Sequence, residues 1–184
     1  MNLYMLRHGQ TDWNLKYKVQ GGTDIPLNET GIQMAKDAHD RYKDIPFDIC
    51  FVSPLIRAQV TAELIVGDRD IDIITDERLR EMSFGQYEGT ESIYTMPDHP
   101  LYKFFKDPEN YSDAPTAEPI SDLYARTKDF LENTVKPLEG KYENVLVVGH
   151  GAMNLSLINQ VLDIPFKDFW THMMGNCECV KLDV

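Results

Sequence analysis

The chain has 184 residues, of which 42% are hydrophobic and 26% charged, and its formal net charge is −12. Such acidity disfavours nucleic-acid binding, because phosphate backbones select proteins rich in Lys and Arg. No apolar run approaches the roughly 18 residues of a membrane span, and no signal-peptide pattern opens the chain. We predict one globular domain over residues 1–184, cytoplasmic, with neither nucleic acid nor membrane as a partner.

The apolar and polar residues alternate between strand-like runs and helical spacing. Apolar strands separated by helices predict βαβ units, and therefore an α/β fold with a mainly parallel sheet covered on both faces. In chain order, the predicted elements are strand Leu3–Leu6, helix Gly31–Lys43, strand Phe47–Val52, helix Leu55–Val66, strand Ile71–Thr75, helix Pro119–Leu138, strand Val145–Val148, helix Gly151–Leu162 and edge strand Glu178–Val184.

Two other features concern possible partners and metals. The last predicted strand could leave an exposed sheet edge that pairs in a homodimer. The cysteines, Cys50, Cys177 and Cys179, have neither zinc-ligand nor CxxC spacing, so we interpret them as reduced thiols. No HExxH motif, carboxylate cluster or cysteine pair indicates a metal, and we expect no metal and no other cofactor.

Residues 89–119 interrupt the alternation with five prolines. We predict an excursion over the sheet edge that contains a short helix near Leu101–Lys106 and could act as a lid or specificity wall. Its aromatic residues could contact a leaving group or could simply pack the excursion onto the core. They are Tyr102, Phe104, Phe105 and Tyr111.

The first strand runs directly into Arg7, His8 and Gly9, and the sequence VLVVGHG repeats this layout at His150 and Gly151. In open parallel sheets ligands bind outside the carboxyl ends of the strands. Both histidines should therefore face one pocket at that edge.

A third strand end adds positive charge. Ser53 suits an N-cap and Pro54 a first helical position, which places Arg57 in the first turn of a helix at the same edge. Arg7, Arg57 and the backbone N–H groups after the two His-Gly steps would then cradle a tetrahedral dianion. The ligand that this arrangement indicates is phosphate.

Five segments together resemble the successive motifs of the histidine phosphatase superfamily, also called the phosphoglycerate mutase-like fold. The family implies a three-layer α/β/α sandwich around a mostly parallel sheet. It also implies metal-independent hydrolysis of a small phosphorylated metabolite through a phosphohistidine. The segments are RHGQTDWN, QGGTDIPLNETG, SPLIRAQVTAE, LREMSFGQYEG and VVGHGAMN, in the family's order and over nearly the whole chain.

The resemblance assigns catalytic roles to five residues. His8 would be the nucleophile, and neighbouring positive groups should keep its imidazole neutral. Arg7, Arg57 and His150 would bind the phosphoryl oxygens and stabilise their charge. Glu81 matches the proton donor to the leaving oxygen, which then serves as base for the hydrolytic water.

Further residues are expected to bind the phosphate or the substrate. Asn14, Gln20 and Gly21 match polar positions that line the family's phosphate site, and Thr23 is a further candidate of the same kind. The backbone at Gly151 belongs to the predicted phosphate cradle.

Two alternatives to a phosphatase stay open. A phosphoglycerate mutase would need more basic groups after Glu81, but this chain has no arginine between Arg80 and Arg126, only Lys103 and Lys106. A non-catalytic relative that binds a phospho-ligand should have lost a catalytic residue, and none is missing. One departure is PTAEPIS, where Glu118 matches the phosphatase pattern but its flanking residues do not, so the family pattern predicts neither the local loop geometry nor the substrate preference here.

Overall fold

The computed structural model describes the whole chain from Met1 to Val184. Short 3-10 turns connect several of the regular elements. The strands are β1 (Asn2–Arg7), β2 (Ile49–Val52), β3 (Ile73–Thr75), β4 (Asn144–Gly149) and β5 (Cys179–Asp183), and the helices are α1 (Asp12–Leu15), α2 (Glu29–Tyr42), α3 (Ile56–Val66), α4 (Tyr102–Lys106), α5 (Ile120–Phe130) and α6 (Gly151–Val161).

The five strands form one sheet in the order β3-β2-β4-β1-β5. The first four run parallel, and only β5 is antiparallel to its neighbour β1. In the central pair Arg7 lies opposite Gly149, so the two strands end at the same level. The residues that follow them, His8 and His150, are thereby brought side by side.

Side chains of the central strands alternate between two cores, as a pleated strand requires. Met5 of β1 belongs to the larger core together with Leu155 of α6, whereas the next residue, Leu6, belongs to the smaller core with Ala62 of α3. Helix α5 packs on the α6 side, and α2 packs on α3. The predicted α/β/α sandwich around a mostly parallel sheet is confirmed.

The long helix predicted over Pro119–Leu138 is not one regular helix. Helix α5 ends at Phe130, a single π turn follows at Leu131–Val135, and a 3-10 turn closes at Lys136–Leu138. Pro137 supplies the reason, since it has no N–H to donate and its ring clashes with the carbonyl four residues earlier. A widened π turn is one way to pass such a position.

The excursion over 89–119 consists of α4, 3-10 turns and loop, with the short helix where it was expected. Phe104 is fully buried in the larger core. Phe105 stacks on Trp170, their ring centroids being 5.3 Å apart, and Tyr111 lies 5.3 Å from Phe104. Most of the excursion's aromatic residues therefore anchor it to the core.

Strand β5 does form one edge of the sheet, and a homodimer through that edge stays a prediction. The three cysteines form no disulfide. Among the helices, none combines the length and the apolar character that crossing a bilayer requires.

Candidate active site

The candidate site lies where β1 and β4 end. His8 and His150 are both buried, and their ring centroids are 5.2 Å apart. The parallel register of the two strands accounts for this pairing, and the N–H of His8 continues it by donating to the carbonyl of Gly149 over 2.9 Å. The predicted pair of imidazoles at one sheet edge is present.

The ring of His8 is oriented by its own neighbour. Its Nδ1 lies 2.7 Å from the carbonyl oxygen of Gly9. A carbonyl can only accept, so in the neutral ring Nδ1 carries the hydrogen and Nε2 carries the lone pair. Since His8 also lines the cavity described below, this tautomer makes Nε2 the candidate nucleophile.

The protein holds both imidazoles neutral. Burial is the largest cause that holds the pKa of His8 well below its usual value of 6.5, followed by the charges of Arg57 and Arg7. Burial likewise lowers the pKa of His150, with Arg57 as the next cause. The positive neighbours thus lower the pKa of His8, as expected, but burial lowers it more. The sequence did not indicate this burial.

This arrangement predicts a stability that depends on pH. In the unfolded chain both rings bind a proton as pH falls through about 6.5, whereas the folded protein resists it. Stability is therefore full above that pH. It should decrease below it, by about 1.4 kcal/mol per pH unit for each ring until the folded pKa is reached.

Urea unfolding between pH 7 and pH 5 measures this dependence. The double variant His8→Asn/His150→Asn should show a shallower decrease than the wild type, and His172→Asn, which changes a histidine outside the cavity, should keep the wild-type slope. Equal slopes in all three proteins would contradict the account.

His150 is the N-cap residue of α6, and its ring contacts the residue that follows β2. Its Nε2 lies 2.7 Å from the hydroxyl of Ser53, while its Nδ1 is buried without a protein partner. The predicted N-cap at Ser53 is wrong, because Leu55 is the N-cap of α3. The Ser53 hydroxyl contacts His150 and also accepts from the N–H of Leu55 over 3.3 Å. His150 does not line the cavity described below, so the prediction that both histidines face one pocket is correct for His8 only.

Arg57 lies in the first turn of α3, as predicted, and is completely buried. Its two terminal nitrogens donate to the carbonyls of Thr23 and Gly21, each over 2.8 Å. Burial lowers the pKa of this guanidinium to about 10, which leaves it charged at neutral pH. The carbonyls therefore fix a full positive charge beside the two histidines.

Arg7 is anchored at only one nitrogen, which donates to the carbonyl of Met174 over 2.9 Å. Burial lowers its pKa. The Nε atoms of Arg7 and Arg57 and Nδ1 of His150 are all buried without a partner. Buried polar groups are normally satisfied, and leaving one unpaired costs about 1–3 kcal/mol. Three such nitrogens on the predicted phosphate-binding residues fit an oxyanion.

Glu88, a residue that sequence reasoning passed over, builds the loop that holds Arg57. Its carboxylate accepts from the N–H of Gly22 and of Thr23, at 3.0 and 2.9 Å. Gly21 has a φ of +54°, and a Cβ there would lie 2.2 Å from that carboxylate, so only glycine fits. The hydroxyl of Thr23 also donates to Glu88, and Thr23 does not line the cavity.

Glu81 lies in the cavity wall with its carboxylate on the first turn of α6. One oxygen accepts from the N–H of Gly151 over 2.9 Å, and the other accepts from Met153 and Met82, each over 2.9 Å. The positive end of the helix and its free N–H groups thus hold the acid in place. The Gly151 N–H, predicted to face the phosphate, can do so only if Glu81 moves.

Asn14 and Gln20 are oriented by a common partner. Thr11 is the N-cap of α1, and its backbone N–H donates to Oδ1 of Asn14 over 3.0 Å. The Thr11 hydroxyl lies 2.9 Å from Oε1 of Gln20. Because both carbonyl oxygens are engaged, both side-chain NH2 groups are free, and both residues line the cavity.

Eight of the predicted residues line one cavity of 560 Å³: Arg7, His8, Asn14, Gln20, Gly21, Arg57, Glu81 and Gly151. Trp170 and Asn176, which come from the C-terminal part of the chain, lie in this wall and were not predicted because no motif covers them. Asn176 also donates to the carbonyl of His8 over 2.8 Å. The lining residues outside the predicted set include Tyr17, Lys18, Ile93, Tyr94, Phe105, Lys106 and Met173.

The structure thus brings nine of the ten predicted residues to one place and directs the Thr23 side chain elsewhere. No group of three or more His, Cys, Asp and Glu side chains has the geometry to hold a metal ion. The fold and the site together define an α/β protein in which two buried guanidinium groups and two neutral imidazoles meet at the carboxyl ends of the central strands.

Comparison with known proteins gives the family. A sequence model of the histidine phosphatase superfamily (branch 1) matches residues 3–184. The chain belongs to this superfamily, which confirms the resemblance in its motifs.

Three relatives illustrate the range. The "uncharacterized phosphatase PhoE" of Bacillus subtilis (strain 168) is 36% identical over 157 residues, 85% of this chain and 75% of that protein. A "2,3-bisphosphoglycerate-dependent phosphoglycerate mutase" of Methylobacterium sp. (strain 4-46) is 36% identical, with 92% of this chain and 86% of that protein covered. The structure of Bacillus stearothermophilus YhfR superimposes with a TM-score of 0.88 at 32% identity, covering 100% of this chain and 91% of that one.

Proposed function

We propose that this protein is a metal-independent phosphomonoester hydrolase that works through a phosphohistidine on His8 and acts on small phosphorylated metabolites. The observation that carries the proposal is the set of buried, unpartnered nitrogens on Arg7, Arg57 and His150 around a neutral imidazole. Arg7 and Arg57 line the cavity and offer hydrogen bonds and positive charge to a phosphoryl group, and the imidazole of His8 offers a lone pair.

In the first step Nε2 of His8 attacks phosphorus. The N–P bond forms as the bond from phosphorus to the ester oxygen breaks. Arg7 and Arg57 stabilise the charge on the non-bridging oxygens, the largest contribution expected for phosphoryl transfer. Glu81 gives its proton to the leaving oxygen, so that the product departs as a neutral alcohol.

In the second step water attacks the phosphohistidine. Glu81, now a carboxylate, accepts a proton from this water, and the N–P bond breaks to release inorganic phosphate and neutral His8. The same acid therefore acts in both directions, and its position on the first turn of α6 keeps it beside the leaving group.

The mutase alternative draws on the names of several relatives, among them the phosphoglycerate mutase of Methylobacterium sp. (strain 4-46). A mutase must hold its phosphoenzyme against water and reposition a charged product. The excursion contributes a single cation, Lys106, to the cavity wall, and the others come from α3 and from the stretch that contains β1 and α1. This sparse charge supports hydrolysis. A purely binding role has less support, because His8, Arg7, Arg57, Glu81 and His150 are all present.

The first test is the hydrolysis of p-nitrophenyl phosphate by the purified protein in the presence of EDTA. We expect release of nitrophenolate at a rate that chelation leaves unchanged. Activity that EDTA abolishes and Mg²⁺ or Zn²⁺ restores would contradict metal independence. In that case a metal ion, rather than the two arginines, would stabilise the charge on the phosphoryl oxygens.

A further inference from the structure

The backbone on both sides of Glu81 is fixed to one arginine of α5. Arg126 donates from one terminal nitrogen to the carbonyl of Arg78, which precedes Glu81, over 2.5 Å. Its other two nitrogens donate to the carboxylate of Glu118 over 2.6 and 3.0 Å. Glu118 in turn accepts from the N–H of Ser83, which follows Glu81, over 3.2 Å. It also donates its own N–H to the carbonyl of Ser83 over 2.8 Å.

This contact, called here the Glu118–Arg126 pair, lies outside the substrate cavity. Neither residue lines the cavity, so neither can act on a substrate directly. The two side chains are only 20% and 17% exposed. A bidentate contact between an arginine and a carboxylate fixes direction as well as distance. The pair therefore holds the segment 78–83 against the start of α5 in a defined orientation.

The carboxylate of Glu81 also rests on N–H groups of α6, but this support cannot last through the reaction. One oxygen accepts from Gly151 and the other from Met153. To protonate the leaving oxygen, the carboxyl group must turn one oxygen away from these N–H groups and towards the substrate. During that step the backbone determines where the acid lies, and a displacement of about 1 Å can cost roughly a hundredfold in rate.

We propose that the Glu118–Arg126 pair positions Glu81, by holding the backbone of residues 78–83 where the acid can reach the leaving oxygen. This inference rests on the proposed hydrolase function and on the role of Glu81 in it. A general acid contributes most when the leaving oxygen is unstable as an anion. Loss of the pair should therefore appear as a dependence on the leaving group and not as a uniform loss of activity.

The test compares kcat/KM for phenyl phosphate and p-nitrophenyl phosphate, two aryl esters of which the first has the greater need of a proton on its leaving oxygen. We expect Glu118→Gln and Arg126→Met to lower kcat/KM for phenyl phosphate by about tenfold, and for p-nitrophenyl phosphate by less than about twofold. Arg126→Lys should behave like Arg126→Met, because an ammonium group keeps the charge but lacks the planar fork.

Arg80→Met is the matched control. Arg80 directly precedes Glu81, but its guanidinium pairs over 3.1 Å with Glu77, whose side chain is 74% exposed, and not with α5. This variant should keep the wild-type ratio of the two kcat/KM values. The ratio cancels any general loss of folded protein.

A wild-type ratio in Glu118→Gln and in both Arg126 variants overturns the inference. Equal losses on the two esters would show a structural role only. No loss would show that the packing of Leu79 and Met82 in the larger core is sufficient. A wild-type ratio in Glu81→Gln would overturn the acid role and the inference with it. Failure of the hydrolase function is seen separately, as no phosphate release from p-nitrophenyl phosphate by the wild type.

Discussion

Replacement of His8 by alanine should reduce phosphatase turnover by about 10⁴-fold or more, the loss expected when a nucleophile is removed from a site that otherwise stays intact. Alanine has no lone pair to attack phosphorus, and the arginines can only bind the ester. Phosphate should therefore still raise the thermal unfolding temperature of the variant, because its oxyanion partners remain.

The measurement is steady-state hydrolysis of p-nitrophenyl phosphate by the wild type, His8→Ala and His172→Ala. His172 lies outside the cavity wall, so its variant controls for the loss of an imidazole as such and should retain full activity. Circular dichroism confirms that the His8 variant is folded. A folded His8→Ala protein with substantial activity would show that another group attacks phosphorus.

The second large effect is expected from Glu81→Gln, and it should depend on the leaving group. For an alkyl phosphate, whose oxygen must be protonated as it leaves, kcat/KM should fall by about 10²–10³-fold. For p-nitrophenyl phosphate, whose leaving oxygen is stable as an anion, formation of the phosphoenzyme should change little. Glutamine keeps the size of the side chain but has no proton to give.

Glu77→Gln is the matched control, since this acid lies four residues earlier and its side chain is 74% exposed. It should leave both substrates unaffected. An equal loss for alkyl and nitrophenyl esters in Glu81→Gln would point to a different role. The four backbone N–H groups on Glu81 would then make it a positioning residue for α6 and His150.

The sheet and its ligand edge could be predicted because they depend on short-range signals. An apolar run followed by His-Gly indicates where a buried strand ends, and the carboxyl ends of parallel strands lie at the same edge of the sheet. Arg57 was found in the same way, from the Ser-Pro step before its helix. The N-cap predicted at Ser53 is wrong, because Leu55 is the N-cap of α3 and the Ser53 hydroxyl contacts both His150 and the N–H of Leu55.

What escaped prediction depends on contacts between distant parts of the chain. The role of Glu88 is not predicted, although the residue lies in the LREMSFGQYEG motif, because its partners are in a loop 65 residues away. The docking of Glu81 on α6 joins positions 70 apart. Trp170 and Lys106 lie in the cavity wall because the excursion packs against the C-terminal part of the chain. No local sequence pattern predicts that contact.

The central claim is a covalent phosphohistidine, and trapping it is the most direct test. Wild-type protein is mixed with excess aryl phosphate and quenched into alkali within one turnover. Alkali is used because phosphohistidine is stable in base and hydrolyses in acid. The peptides of the quenched protein are then analysed by mass spectrometry. We predict one phosphoryl group, on His8. Quenched protein that carries no phosphoryl group, or carries it on another residue, would contradict the account.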